Sequence, residues 1–197
     1  MDLPLLEMSV DDSQDVGIKC MSLVNHPAIQ VGWISFAETE IKFAIDNAAE
    51  RIVFGPVLIP NQKVYRKDEQ FGEYNVTATS DSIRAIREKF FKSQNTTAVN
   101  TEHGSNKVSA YLMESFISDQ SKGIPNPKPF ENLPYGTWYV GYKIEDDSIW
   151  NDIQSGKFMG FSLEGKFKLD LKDSQSQIDT ILSEIESLIT NKLNSFK

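Results

Sequence analysis

The 197-residue sequence has one cysteine, two histidines and no long apolar run. Lone Cys20 excludes an intramolecular disulfide and a thiolate metal cluster. His26 and His103 are the only imidazoles, so any histidine-dependent chemistry runs through one of them. These three residues lie far apart without ligand spacing, and the carboxylates form no calcium-loop pattern, so no metal site is expected. A Gly-rich phosphate loop of dinucleotide or Walker type is also missing, and no cofactor is called for. No segment approaches the roughly 18–20 consecutive apolar residues of a membrane span, so no membrane partner is expected. The start, Met1-Asp2-Leu3-Pro4-Leu5-Leu6-Glu7, lacks the basic flank and apolar core of a secretory signal. Positive charge is scarce as well: 20 basic against 28 acidic residues leave a net charge of −8. That balance is a poor match for a nucleic-acid backbone.

What is present is a globular mixture, 40% apolar and 24% charged, which suits a domain with its own core. Ile18 to Val24 reads as a strand closed by Asn25-His26-Pro27, and Val31 to Phe36 as a second, followed by a polar linker to Glu50. Arg51 to Pro60 is a buried strand with a Gly/Pro kink, and Tyr74 to Thr79 alternates as a half-exposed strand does. Ser80-Asp81-Ser82 offers N-caps for a helix to about Ser93, with Ile83, Ile86 and Phe90 on one face. Thr97 to His103 is a strand, Gly104 to Lys107 a turn, and Val108 to Ser118 the returning strand of a hairpin. A proline-rich loop, 120–134, precedes a strand over 136–144. A short helix over 146–155 then exposes Ile149, Trp150 and Ile153 to the core and ends at Gly156. Phe158 to Phe167 is a strand interrupted by glycines. Residues 174–197 form an amphipathic helix that can pack on the domain or pair with another chain.

Two local features carry chemistry. In Gly160-Phe161-Ser162-Leu163-Glu164-Gly165 the glycines leave room beside Ser162 for a backbone or a substrate. The same pattern also suits a tightly packed buried strand, and its glycine spacing is not that of the sharp Gly-x-Ser-x-Gly elbow. His103, at a strand end before a turn, can be held by the sheet and reached from outside, as a general base must be. A plain polar residue at a hairpin fits that position equally well. A serine hydroxyl needs a neighbouring base, so Ser162 and His103 make a coherent pair. Among 28 acids nothing singles out a glycosidase-type carboxylate pair.

Several segments occur in an order that resembles a branch of the tailed-phage prohead serine proteases. They are Gly55-Pro56-Val57-Leu58-Ile59-Pro60 with Tyr65-Arg66, Glu102-His103, Glu114-Ser115-Phe116-Ile117, Gly136-Thr137-Trp138, and Trp150 with Gly156 to Gly165. Ser22-Leu23-Val24-Asn25-His26-Pro27-Ala28-Ile29 also resembles a segment of these proteins. The resemblance implies an α+β fold: a mainly antiparallel, assemblin-like β-barrel with surrounding helices, as in herpesvirus maturation proteases, plus the C-terminal helix. The implied layout is an N-terminal strand-containing segment (1–50), a protease-like barrel (51–173) and that helix (174–197).

It further implies cleavage of scaffold and major capsid precursor proteins in the procapsid interior, assembled in the host cytoplasm, often with self-cleavage. Ser162 would be the nucleophile and His103 the base. The third, base-orienting residue stays open among Glu164, on the same strand face as Ser162, His26, by analogy with a second histidine in the herpesvirus enzymes, and Glu114, which the expected hairpin carries away from His103. A bare dyad is the remaining case. The other class of function is a catalytically inactive capsid-interior or scaffolding protein on the same fold, self-associating through the C-terminal helix.

Overall fold

The computed structural model describes residues 3–25, 44–47 and 50–172. Its strands are β1 (Leu5–Ser9), β2 (Gly17–Val24), β3 (Ala44–Asn47), β4 (Ile52–Leu58), β5 (Val64–Asp68), β6 (Gly72–Thr77), β7 (Val99–Thr101), β8 (Ala110–Ile117), β9 (Trp138–Ile144), β10 (Gly160–Lys166) and β11 (Lys168–Leu171). Two α-helices accompany them, α1 (Ser80–Lys92) and α2 (Asp147–Gln154). Helix α1 forms where its sequence changes from alternation to a three-four spacing. Thr79 caps it by accepting from the Ser82 amide, and Ile83, Ile86 and Phe90 are fully buried against the strands. Burying each such side chain contributes about 1.5–3 kcal/mol. Asp146 caps α2, whose Trp150 and Ile153 are buried, and Gly156 takes the left-handed conformation just beyond it.

The strands form three sheets among the described residues, ordered β11-β1-β6-β5, β10-β2-β7 and β3-β4-β9-β8. β1 runs parallel to β6 and β2 parallel to β7, while the other pairings are antiparallel. The chain crosses from the second sheet to the first at Phe167, between β10 and β11. One core joins the three, built around Trp138, Tyr142, Phe161, Met21 and the apolar stripe of α1. A smaller aromatic cluster, Phe54, Phe130 and Tyr139, stacks separately.

The expected mainly antiparallel barrel is not what forms. Among the described residues the three sheets stay open, each with two end strands, and two α-helices are present where a surrounding set was expected. The physical reason lies in the pairing: among the described residues β10 hydrogen-bonds only to β2, and β4 only to β3 and β9, so no ladder there joins the sheets into a ring. The expected hairpin of residues 97–118 also changes partner. After an isolated bridge between Asn100 and Lys107, the returning strand leaves β7 and pairs with β9. Part of the expected polar linker is strand β3, and β1, β5 and β11 were not expected from the pattern. The expected strand at 31–36 and the C-terminal helix lie outside the described residues.

Candidate active site

The central sheet brings distant polar residues into one row. Ser162 on β10 stands opposite Ser22 on β2, and Ser22 stands opposite Asn100 on β7. Glu164 is two residues beyond Ser162 and shares its face of the strand. Directly after Glu164 the register slips in a β-bulge, so that Glu164 faces Cys20 and Gly165 faces Ile18. Glycine is required at 165: a Cβ there would lie 2.2 Å from the Gly17 carbonyl oxygen. Bulges re-aim the side chains beside them, and this one lies beside Glu164.

His103 comes from the turn that follows β7. The Gly104 amide donates to the Thr101 carbonyl at 2.8 Å, and the two central residues, Glu102 and His103, have φ of 48° and 56°. Both lie in the left-handed region that ordinary side chains rarely adopt, so the turn needs outside support. It has several anchors. The Glu102 amide donates to the Leu23 carbonyl at 3.0 Å. The Glu102 carboxylate accepts from the Asn25 amide at 2.6 Å, the His103 amide donates to Ser22 Oγ at 2.9 Å, and Asn100 Nδ2 donates to the Gly104 carbonyl at 2.9 Å.

These supports converge on one carboxylate oxygen. Glu164 Oε1 lies 3.2 Å from His103 Nδ1, and it accepts from Asn100 Nδ2 at 2.6 Å and from Ser22 Oγ at 3.1 Å. Ser22 Oγ also hydrogen-bonds Asn100 Oδ1, so two acceptors share its one proton. Ser22 is fully buried and Asn100 nearly so, whereas the His103 side chain is 46% exposed. With Nδ1 against a carboxylate, the ring proton belongs on Nδ1, and Nε2 carries the lone pair a general base needs. Cys20 shares this neighbourhood without sharing the chemistry. Burial, then the Glu164 charge, pushes its thiol up to about 11, so it stays protonated near neutrality.

Of the residues singled out from sequence, His103 and Glu164 are brought together. Ser162 is buried on β10, and no hydrogen bond links its hydroxyl to His103 among the described residues. β2 lies between β10 and β7, which puts Ser162 one strand, about 4.8 Å, further from the histidine's strand than Ser22. Glu114 pairs with Gly141 in a different sheet. His26 lies outside the described residues. Ser22 and Asn100 are the members of this cluster that sequence reasoning did not single out; Ser22 left one trace, in the resemblance carried by Ser22 to Ile29, and Asn100 left none. No group of three or more His, Cys, Asp or Glu side chains is placed to hold a metal among the described residues.

Residues 40–169 match the family described as "Putative phage serine protease XkdF". His103, Ser162 and Glu164 fall inside that span, and Ser22 precedes it. No curated protein and no solved structure matches the chain.

Proposed function

The chain belongs to this family of phage serine proteases, and we propose that it is a serine endopeptidase of capsid maturation. Its substrates would be scaffold and major capsid precursor proteins, cut in the procapsid interior as heads assemble in the host cytoplasm. The observation that carries the enzymatic part is the contact of His103 Nδ1 with a Glu164 oxygen that also accepts from a buried serine hydroxyl. The capsid part is supported by the order of motifs along the chain.

The chemistry follows from the parts. Glu164 fixes the imidazole tautomer and stabilises the imidazolium as it forms. His103 Nε2 takes the serine proton while Oγ bonds to the scissile carbonyl carbon. Collapse of the tetrahedral intermediate breaks the C–N bond, and the same proton passes to the leaving amine. Water, deprotonated by Nε2, then cleaves the acyl ester and regenerates the serine. Geometry favours Ser22 as the nucleophile, since its hydroxyl is already on the Glu164 oxygen and under the His103 amide. Ser162 is the second reading, favoured by its place on the Glu164 strand and inside the family match.

Cleavage of purified scaffold by single-site variants tests this. His103→Ala should lower kcat at least about a thousandfold, and so should alanine at the true nucleophile but not at the other serine. Wild-type cutting by Ser22→Ala and Ser162→Ala alike would refute the proposal. Normal head maturation with every variant would leave a non-catalytic capsid role.

A further inference from the structure

The polar row of the central sheet does not stop at Asn100. On the side of β7 away from β2, an isolated antiparallel bridge sets Lys107 opposite Asn100. Residues directly opposite each other share a face, with Cβ atoms about 4.5–5.5 Å apart. The row therefore runs Ser162, Ser22, Asn100, Lys107 across neighbouring segments of chain. The lysine charge is felt along it: at Cys20, which faces Glu164, it acts in the sense opposite to the carboxylate. Lys107 also ends the exposed turn, 102–107, that carries His103.

Holding the fold does not occupy this side chain. Other lysines, such as Lys67, Lys92 and Lys157, pair with Glu73, Glu88 and Asp152. Lys107 is exposed and makes no ion pair among the described residues. The Glu164 oxygen on that face is taken by His103, Asn100 and Ser22, and the Glu102 carboxylate accepts from the Asn25 amide. An ammonium group thus stands beside the site with no carboxylate of its own.

We propose that Lys107 is a specificity-determining residue, which takes the carboxylate of an aspartate or glutamate close to the bond being cut. The inference rests on the protease reading above. Lys107 lies one strand spacing, about 4.8 Å, beyond Asn100 and two beyond Ser22. An extended peptide rises about 3.3 Å per residue, so the acid falls within a few residues of the cut. The net charge of −8 opposes a long polyanion and, at a distance, favours basic segments. One unpaired ammonium beside the site reverses that preference at a single position.

A pooled library of synthetic peptides, with cut sites mapped by mass spectrometry, tests this role. The wild type should favour Asp or Glu over Gln at one fixed position by about fivefold in kcat/KM. That preference should fade at about 1 M salt, where screening acts within about 3 Å. Lys107→Glu should turn it towards Lys and Arg at the same position. Lys128→Glu, at an exposed lysine of the proline-rich loop, makes the same change in net charge and should leave the preference in place. A fluorophosphonate, which carries no acidic side chain, should label the wild type and both variants alike. Labelling and cutting without an acidic preference, or with one that Lys107→Glu leaves unmoved, overturns the role of Lys107 and leaves the protease reading standing. Labelling lost in Lys107→Glu alone would place the lysine in the chemistry and also overturn the specificity role. A wild type that neither labels nor cuts overturns the protease reading, and this role with it.

Discussion

At the scale of single residues, the site depends on side chains that do no chemistry themselves. Asn100 donates to both Glu164 and the Gly104 carbonyl, tying the carboxylate to the turn that carries His103. Asn100→Ala leaves those two acceptors without that donor. Urea unfolding should show a loss of about 1–3 kcal/mol, and cleavage should fall even where the protein remains folded. Gly165→Ala should be costlier than a surface glycine change, because the added methyl meets backbone atoms of Gly17 and Ile18 that cannot swing aside. A melting temperature like the parent's would mean that β2 and β10 do not approach so closely. Cys20, with its thiol pushed up to about 11, should resist iodoacetamide at pH 8 while folded and react once unfolded. Cys20→Ser should keep cutting. None of these roles can be read locally: Ser22 is one polar residue in an apolar strand, and its partners Asn100 and Glu164 are 78 and 142 residues away.

At the scale of elements, legibility follows the range of the interactions. Helix α1 could be read from Ile83, Ile86 and Phe90 because helical spacing is a local property, although its cap is Thr79 and not one of the three residues after it. The end of α2 at Gly156 was equally visible, as left-handed backbone favours glycine. The partner of β8 was not: a turn at 104–107 suggests β7, and only the tertiary fold supplies β9. Caps also make a pH prediction. The Asp146 carboxylate accepts from the Ser148 hydroxyl and from the Ile149 and Ser148 amides, which holds it below the usual carboxylate range. Since folding depresses this pKa, its stabilisation is present above the unfolded value and is lost as pH falls through the folded one. Asp146→Ala should therefore melt below the parent at pH 7, with the gap narrowing towards pH 3. A gap that widens in acid would contradict the cap.

At the scale of the whole molecule, three open sheets among the described residues replace the barrel that the motif order implied, yet His103 and Glu164 still meet. Strands such as β2, β4 and β9 were legible because β-branched runs and Gly/Pro punctuation mark them, whereas β1, β3, β5 and β11 were not. Closure was not, because it depends on which strand edges find each other. The central claim is that a serine on this sheet is activated by His103 under the control of Glu164. Reaction of the full chain with a fluorophosphonate, followed by peptide mass mapping, tests it most directly. The account predicts one adduct, on the peptide bearing Ser22, with Ser162 as the second reading, and its loss in His103→Ala. An unlabelled wild type, or an adduct that persists undiminished without His103, would contradict it.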